Sequence, residues 1–330
     1  MKVNFFTEAA MVGIKTTGLV TAYKNLIDPL ESRGVDVEVN AIDDYDVLHI
    51  HSFGPVSILK AAREDRPVVI STHTVPEEFR YLYRGGRLTV PLVERYLASV
   101  YSRADLLLSP SKFARDRVRE MGVDTPVRVQ SNGIDPDKYQ YSEEKRERFR
   151  ERHGIGSDET VIGSVGLLSK RKGLDTFVRM AEQFPDITFV WAGTNVYGSL
   201  LRDHSYVERL KRDHPDNLIL PGYVDDIEEA YSAMDLFLFP TRIETEGLVA
   251  LEAASVGIPV IASRVEGLDW MEEGTHCLKA GSEDEFVEEI ERVVEGDDGV
   301  VDDLVEIYTA LLDGSVSELV EEPAGRSVET

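Results

Sequence analysis

Two glutamates stand either side of a glycine in the segment FPTRIETEGLVALEAASVGIPVIAS, residues 239–263. Glu244 and Glu252 follow an apolar run that ends at Pro240, and Gly247 lies between them. Gly247 allows a sharp turn into a helix, whose first N–H groups stay unpaired and attract an anion. Because carboxylates accept hydrogen bonds from hydroxyl groups, the pattern predicts a bound diphosphate, with Glu244 contacting a sugar and Glu252 a ribose.

The same segment also has a purely structural interpretation. Glu244 and Glu246 can favour the start of a helix, and Glu252 can lie on a solvated helix face. Short motifs match by chance, so this segment by itself favours the structural interpretation.

A second segment changes that balance, because it carries three adjacent cations. The stretch GSVGLLSKRKGLDTFV, residues 163–178, predicts a strand, a loop with Lys170, Arg171 and Lys172, and a helix that begins at Gly173. Cations above a helix N-terminus form a phosphate site. The alternative is a solvated basic turn. It is less favoured because 61 Asp and Glu outnumber 36 Lys and Arg, which leaves basic clusters scarce.

The elements that hold these residues form two similar series. Short apolar runs alternate with helical patterns in both halves, which predicts an α/β chain with two parallel, doubly wound sheets. Ligands of such sheets bind beyond the carboxyl ends of the strands, so the loops after each run are the expected sites of chemistry. The runs are KVNFFTE, VDVEVNA, DVLHIHS, RPVVISTH, DLLLSPS and VRVQSNG in the first half, and TVIGSVGL, ITFVWAG, LILPGYV, DLFLFPT and IPVIAS in the second.

Length and charge place the boundary between the two halves. At 330 residues the chain exceeds the roughly 250 to 300 at which one core stops growing, so two domains are expected. The stretch 138–158 is charged and has no apolar stripe. We predict an N-terminal domain over residues 1–140, a linker over 141–157, a C-terminal domain over 158–313 and a frayed tail over 314–330.

Composition argues against several other classes of protein. The net charge of -25 is spread along the chain, which argues against a nucleic-acid partner and resembles proteins of salt-loving organisms, so a halophilic archaeal source is expected. Cys277 is the single cysteine and is predicted to be buried. The N-terminus lacks the pattern of a signal peptide, and no window has the ~18 to 20 apolar residues of a membrane span. A cytoplasmic location, extending to the inner face of the membrane, is expected.

In their order and separation, the two segments resemble the C-terminal domain of the retaining glycosyltransferases of family 4, which have the GT-B fold. The family's hallmark is a Glu, seven residues and a second Glu, and Glu244 and Glu252 meet it. The similarity covers about residues 1–313, and the ordered set of motifs makes it specific.

Three further motifs carry the resemblance. PGYVDDIEEAYSAMDLFLFPT, residues 221–241, resembles the family's Gly-Tyr/Phe-Val segment and the strand that follows it, with Met234 in place of an Ala. SNGIDPDKY, residues 131–139, resembles the Asn-Gly-Val-Asp that closes the first domain, and IYTALL near residue 312 resembles the closing helix.

The resemblance implies transfer of a hexose from a nucleotide diphosphate sugar, such as a UDP- or GDP-sugar, to an acceptor hydroxyl with retained configuration. It places the acceptor on the N-terminal domain and the nucleotide sugar on the C-terminal domain. The family works without a bound metal, so no metal or cofactor is expected. It implies catalytic roles for Glu244, Lys172, Arg171 and His73. The donor-binding positions that it implies are Gly13, Gly18, Gly166, Lys170, Tyr223, Val224, Glu246, Gly247, Leu248, Val249 and Glu252.

Besides Met234, two positions and one segment depart from the family pattern. Glu246 replaces the usual Phe before the motif glycine, and Leu167 replaces an Arg that serves as a diphosphate ligand. Arg171 or Lys170 would then supply the missing charge. The Gly-Gly-x-x-Glu that usually follows the last strand is EGLDW here, at residues 266–270.

The N-terminal half offers glycines and histidines. Gly13 and Gly18 stand where the family has a glycine-rich loop over the donor phosphates, although glycines between a strand and a helix are also common turn residues. His73 ends a predicted strand and corresponds to a family His close to the transferred sugar; without that context a satisfied structural histidine would be favoured. His49 and His51 would share a strand face, but a zinc site needs at least three ligands, so we reject it.

Residues 79–103, FRYLYRGGRLTVPLVERYLASVYSR, carry five arginines among tyrosines and leucines. This local reversal of charge suits contact with anionic lipid headgroups or a lipid-phosphate acceptor. A helix that merely solvates its outer face is an open alternative. The segments HIHSFGP and STHTVPEEF resemble those of diacylglycerol glucosyltransferases within the family. This resemblance favours a lipid acceptor over a glycan acceptor.

We therefore expect a retaining hexosyltransferase whose site lies in the crevice between two domains. Two alternatives stay open. A nucleotide-sugar epimerase shares the two-domain fold, although the Glu pair argues against it. A noncatalytic partner subunit would bind the nucleotide sugar without transferring it, and Leu167 and Glu246 raise that alternative.

Overall fold

The computed structural model describes residues 1–11, 18–82, 86–135, 137–195 and 202–294. Four sequence predictions lie wholly or partly outside these residues: the contact of Gly13, the basic segment 79–103 at residues 83–85, the closing helix near residue 312 and the tail. They stay predictions.

The first half of the described chain forms a parallel six-stranded sheet in the order β2-β1-β3-β4-β5-β6. Its apolar strands lie between helices on both faces, which is why Leu48, Ile50 and Ile70 are fully buried. The strands are β1 Lys2–Phe6, β2 Asp36–Val39, β3 Val47–Ile50, β4 Val68–Ser71, β5 Leu106–Ser109 and β6 Val127–Val129.

The second half repeats this architecture, with a parallel six-stranded sheet in the order β12-β11-β10-β7-β8-β9. The eleven strands predicted from the apolar runs are confirmed. The twelfth, β12, was not predicted, because Leu278–Ala280 is three residues long and contains Lys279. The strands are β7 Val161–Val165, β8 Thr188–Ala192, β9 Leu218–Gly222, β10 Leu236–Phe239, β11 Val260–Ser263 and β12 Leu278–Ala280.

Helices connect the strands and cover the sheets. Short 3-10 turns at Pro76–Glu78, Lys170–Lys172 and Glu266–Leu268 occupy three of the loops that follow strands. Within the described residues no helix has the length and apolarity needed to cross a membrane. The helices are α1 Glu8–Met11, α2 Gly18–Glu31, α3 Pro55–Arg63, α4 Phe79–Leu82, α5 Gly86–Tyr101, α6 Lys112–Glu120, α7 Glu143–His153, α8 Leu174–Gln183, α9 His204–Leu210, α10 Ile227–Ala233, α11 Leu248–Ser255 and α12 Glu283–Val294.

The segment predicted as a linker instead contains α7, which packs against the core of the second half. Phe149 is fully buried in the core of the second half, together with Tyr139. The guanidinium of Arg150 is also buried, and it donates to the carbonyl oxygens of Gly156 and Ala233 and to Asp235. A charged helix can therefore belong to a core when its aromatic ring is buried and its buried arginine is hydrogen-bonded.

Met234 takes the place of the family's Ala without crowding the sheet. Its side chain is buried and packs over β7, where a Cβ at Gly163 would overlap the Met234 sulfur. Gly163 therefore makes room for the larger side chain, and the departure from the motif is accommodated locally. Cys277 is buried, as predicted.

Candidate active site

Four buried charges meet where the two halves of the chain face each other. The Nζ of Lys172 forms an ion pair with the carboxylate of Glu244, within the second half. One guanidinium nitrogen of Arg171 lies 3.4 Å from Oε1 of Glu78, which belongs to the first half. We call Glu78, Arg171, Lys172 and Glu244 the charge cluster.

The cations of the charge cluster are placed by a tight turn after β7. The hydroxyl of Ser169 accepts a hydrogen bond from the backbone N–H of Lys172 at 3.3 Å, which closes the turn. Gly173 ends it with φ of 82°, and a Cβ there would overlap the carbonyl oxygen of Pro240. Only glycine fits both constraints, so the cation turn can approach the loop after β10 that carries Glu244.

That loop is held from two other sides. The backbone N–H of Arg242 donates to the carbonyl oxygen of Arg171 at 2.9 Å, and its guanidinium pairs with Asp175 at 2.6 Å. On the far side, a Cβ at Gly267 would overlap the carbonyl oxygen of Glu244. Glu244 is therefore positioned by backbone packing as well as by Lys172.

Burial and pairing act in opposite directions on these groups. Burial raises the pKa of Glu244, but the charges of Lys172 and Arg171 outweigh it, so the pKa lies below its usual value. Burial lowers the pKa of Lys172, and Glu244 offsets only part of that effect. Burial also raises the pKa of Glu78, against the opposing charge of Arg171. Glu244 is the more firmly ionised of the two acids.

Lys170 faces away from the charge cluster. Its Nζ lies 4.6 Å from the centre of the Tyr206 ring, and its backbone N–H donates to Asp203. Of the three predicted cations, the structure therefore brings Arg171 and Lys172 to Glu244 and turns Lys170 toward α9.

Two helices begin beside the charge cluster. Gly173 precedes α8 and Gly247 precedes α11, and neither helix start has a side-chain cap. Gly247 has φ of 84°, and a Cβ there would lie 2.8 Å from Leu268 and 3.0 Å from Phe239, so glycine is required. Uncapped helix starts beside cations favour an anionic ligand.

Glu252 and Glu246, both predicted to contact the donor, have protein partners in this structure. Each carboxylate oxygen of Glu252 accepts from a tyrosine, Tyr139 at 3.0 Å and Tyr231 at 2.6 Å. Glu246 accepts from the hydroxyl of Ser131 at 2.6 Å and from the backbone and side chain of Asn132. Both carboxylates therefore join the second half to the segment after β6.

The remaining predicted donor positions among the described residues lie in the second half, except Gly18. The Gly166 carbonyl accepts from the Trp191 indole at 3.0 Å. Tyr223 is exposed, whereas Val224 packs on the core. Leu248 and Val249 are partly buried in the first turn of α11, and Gly18 begins α2 in the first half.

Three histidines cluster at the carboxyl ends of β3 and β4. Nε2 of His49 lies 2.8 Å from the Ser71 hydroxyl, and Nδ1 of His51 lies 3.2 Å from Nε2 of His73. The carbonyl of His73 accepts from the hydroxyl of Thr245, so His73 also touches the loop that carries Glu244. Among the described residues, no group of three or more His, Cys, Asp or Glu is placed to hold a metal ion.

Glu78 is a member of the charge cluster that the sequence did not predict. The residue lies in STHTVPEEF, a segment that carried part of the resemblance, but nothing local distinguishes it from Glu77. Its partner Arg171 is 93 positions away in the chain, so only the fold reveals the pair.

Comparison with known proteins identifies the family of this chain. Residues 145–306 match the family model described as Glycosyl transferases group 1, and residues 38–138 match Glycosyltransferase Family 4. The processive diacylglycerol alpha-glucosyltransferase of Acholeplasma laidlawii is 32% identical over 301 residues, which cover 90% of this chain and 89% of that protein. The chain belongs to the group 1 glycosyltransferases. It is a hexosyltransferase, as predicted.

One further relative and two solved structures are similar to this glycosyltransferase. The alpha-galactosylglucosyldiacylglycerol synthase of Streptococcus pneumoniae is 28% identical, over 86% of this chain and 78% of that protein. Anabaena HepE, solved in complex with UDP-glucose, superposes with a TM-score of 0.76 at 18% identity, over 97% of this chain and 99% of that one. Sucrose-phosphate synthase from Thermosynechococcus elongatus gives 0.77 at 17% identity, with coverage of 97% and 98%. The predicted GT-B fold is confirmed.

The histidine cluster of this glycosyltransferase predicts a loss of stability in mild acid. Burial, helped by the charge of His73, lowers the pKa of His49 to about 3, and burial lowers that of His73 to about 4. In the unfolded chain a histidine has a pKa near 6.5. As the pH falls from 7.5 to 5.5, the unfolded chain therefore binds protons that the folded protein does not.

Replacing His49 by Gln should remove about 1 kcal/mol of this pH-dependent loss in unfolding free energy. The side chain of Gln can still bond the Ser71 hydroxyl. The measurement is chemical denaturation at pH 7.5 and 5.5. His214→Gln, at an exposed position, is the control and should lose stability as the wild type does. An equal loss in all three proteins would contradict the inference.

Proposed function

We propose that this hexosyltransferase moves a hexose from a nucleotide diphosphate sugar to an acceptor hydroxyl with retained configuration. The observation that carries the proposal is the buried Lys172–Glu244 ion pair between two uncapped helix starts. Cations and helix N-termini suit a diphosphate, and a carboxylate in the same place suits sugar hydroxyls.

Neutralisation of the departing diphosphate is the main catalytic task in this proposal. Lys172 supplies a cation already fixed by Glu244, and Arg171 supplies a second one in place of the arginine that Leu167 replaces. The N-termini of α8 and α11 add partial positive charge without any metal ion. Charge that is placed before the reaction is commonly the largest single contribution to catalysis.

Glu244 and His73 are proposed to act on the sugar itself. Glu244 would accept hydrogen bonds from sugar hydroxyls through lone pairs that Lys172 leaves free. The backbone carbonyl of His73 accepts from the Thr245 hydroxyl, so His73 lies next to the loop that carries Glu244. We nominate no carboxylate as a nucleophile, and retention rests on the family resemblance.

A lipid is the proposed acceptor. Relatives named as a diacylglycerol glucosyltransferase and a galactosylglucosyldiacylglycerol synthase support this choice. On α5, Leu88 is 88% exposed and Leu92 68% exposed, and Arg95 lies exposed beside them. Val56 and Leu59 on α3 are exposed as well. Exposed leucines with an arginine suit a surface that rests on anionic lipid.

The surplus of acidic residues concerns the salt concentration at which the protein works, not the reaction that it catalyses. We propose a halophilic origin, because a charge of -25 repels itself unless salt screens it. Activity is therefore best sought over a range of KCl concentrations.

The first experiment incubates the protein with radiolabelled UDP- and GDP-hexoses and a lipid extract. A labelled glycolipid whose anomeric configuration matches that of the donor supports the proposal. Conversion of the donor to its epimer without an acceptor would indicate an epimerase. Donor binding without either product would indicate a noncatalytic partner subunit.

Lys172→Met should lower kcat/KM by about 10² to 10³, equivalent to about 2.7 to 4 kcal/mol of transition-state stabilisation. Glu244→Gln should lower kcat much more than it weakens binding of the nucleotide, because its contact matters most as charge develops on the sugar. Lys170→Met is the comparison for Lys172→Met and should lose less activity, because Lys170 faces Tyr206. Circular dichroism checks the fold of each variant. Full activity in Lys172→Met would mean that the diphosphate binds elsewhere.

Vesicle sedimentation tests the lipid surface. The wild type should bind vesicles of phosphatidylcholine and phosphatidylglycerol at low salt but not vesicles of phosphatidylcholine alone. The double variant Leu88→Ser/Leu92→Ser should bind several-fold less, because it loses the apolar contact. Ile42→Ser removes an equally exposed apolar residue from the connection between β2 and β3 and should bind like the wild type. If all three proteins bind equally, or if none of them binds, a soluble acceptor is favoured.

A further inference from the structure

Glu78 brings a buried negative charge from the first half of the chain to the cations of the second half. It ends the turn Pro76–Glu78 and is 8% exposed. Its Oε1 lies 3.4 Å from the Arg171 guanidinium. Its neighbour Glu77 pairs instead with Arg117 on α6, within the same half. Glu77 therefore has its arginine partner within the first half, whereas Glu78 has its partner across the cleft.

The charge cluster is balanced before any ligand arrives. Glu78 and Glu244 contribute two negative charges, and Arg171 and Lys172 contribute two positive charges. A nucleoside diphosphate that enters the cluster brings at least two more negative charges into a buried site. Buried charges without a counter-charge are strongly disfavoured. The diphosphate therefore competes with the two carboxylates for the two cations.

The geometry indicates which carboxylate yields. Glu244 is in direct contact with Lys172 and also accepts from the backbone N–H of Thr245. The Glu78–Arg171 contact is longer, and the Nε of Arg171 is buried with no hydrogen-bond partner in the described part of the chain. Arg171 thus has a donor in reserve for a ligand, and its present partner is the less firmly held of the two acids.

We propose that Glu78 is an internal counter-anion that the donor's diphosphate displaces from Arg171 and that returns to Arg171 when the nucleoside diphosphate leaves. This inference rests on the proposed function, because it assumes that the diphosphate binds the charge cluster. Glu78 then competes with the diphosphate in both the substrate and the product complex. It weakens nucleotide binding and speeds product release, so it is a positioning residue for Arg171.

The sign of the effect separates this role from a structural one. If Glu78 only stabilised the closed arrangement of the two halves, its removal would loosen the cleft and weaken nucleotide binding. If it competes with the ligand, its removal frees Arg171 and strengthens nucleotide binding. The two interpretations thus predict opposite changes in the same dissociation constant.

The experiment is calorimetric titration of the full-length protein with UDP, GDP and ADP. The nucleotide that binds the wild type should bind Glu78→Gln about tenfold more tightly. Glu77→Gln, the matched control, should bind as the wild type does, because its arginine lies within the first half. Product-inhibition kinetics should agree, with an inhibition constant for that nucleotide that falls by the same factor in Glu78→Gln only.

Two further variants make every result decisive. Glu78→Asp shortens the carboxylate by one methylene and should also strengthen binding, which covers the case in which Glu78→Gln fails to fold. Equal or weaker binding by the Glu78 variants, with Lys172→Met still weakening it, overturns the counter-anion and leaves the proposed function standing. No nucleotide binding by the wild type, or no effect of Lys172→Met, overturns both.

Discussion

The buried pairing of Lys172 with Glu244 is the interaction on which the rest of the site depends. Two charges can stay in a protein interior only when they are paired at close range and held there. The two loops that carry them follow β7 and β10, which are neighbours in the second sheet. Gly173 and Gly267 then allow backbone approaches that a side chain would block. The sheet order and two glycines thus place one cation and one acid where a diphosphate sugar is expected.

Much of this arrangement could be predicted from the sequence. The apolar runs identify eleven strands because buried parallel strands are continuous apolar segments. Lys172 and Glu244 follow such runs, so their position at the carboxyl edge is a consequence of the fold. The packing of α7 was not predicted from the sequence. A core helix usually shows an amphipathic stripe, whereas α7 buries only Phe149 and Arg150.

The partners of the buried acids could not be predicted. Glu78, Glu246 and Glu252 bond residues 93 to 115 positions away. Local patterns report periodicity and turns, whereas such pairs are set by how the two halves meet. Glu246 and Glu252 were both assigned to the ligand from the sequence. They also connect the second half to the segment after β6. An acid in a motif can serve both tasks, because each carboxylate oxygen has two lone pairs.

The most direct test of the central claim is a crystal structure of the protein with the nucleoside diphosphate that it binds. A phosphate oxygen should lie within hydrogen-bond distance of Lys172 Nζ, with the diphosphate at the N-termini of α8 and α11. Glu244 should stay in its present loop, beside Gly267. A diphosphate bound away from Lys172 and both helix starts would contradict the account.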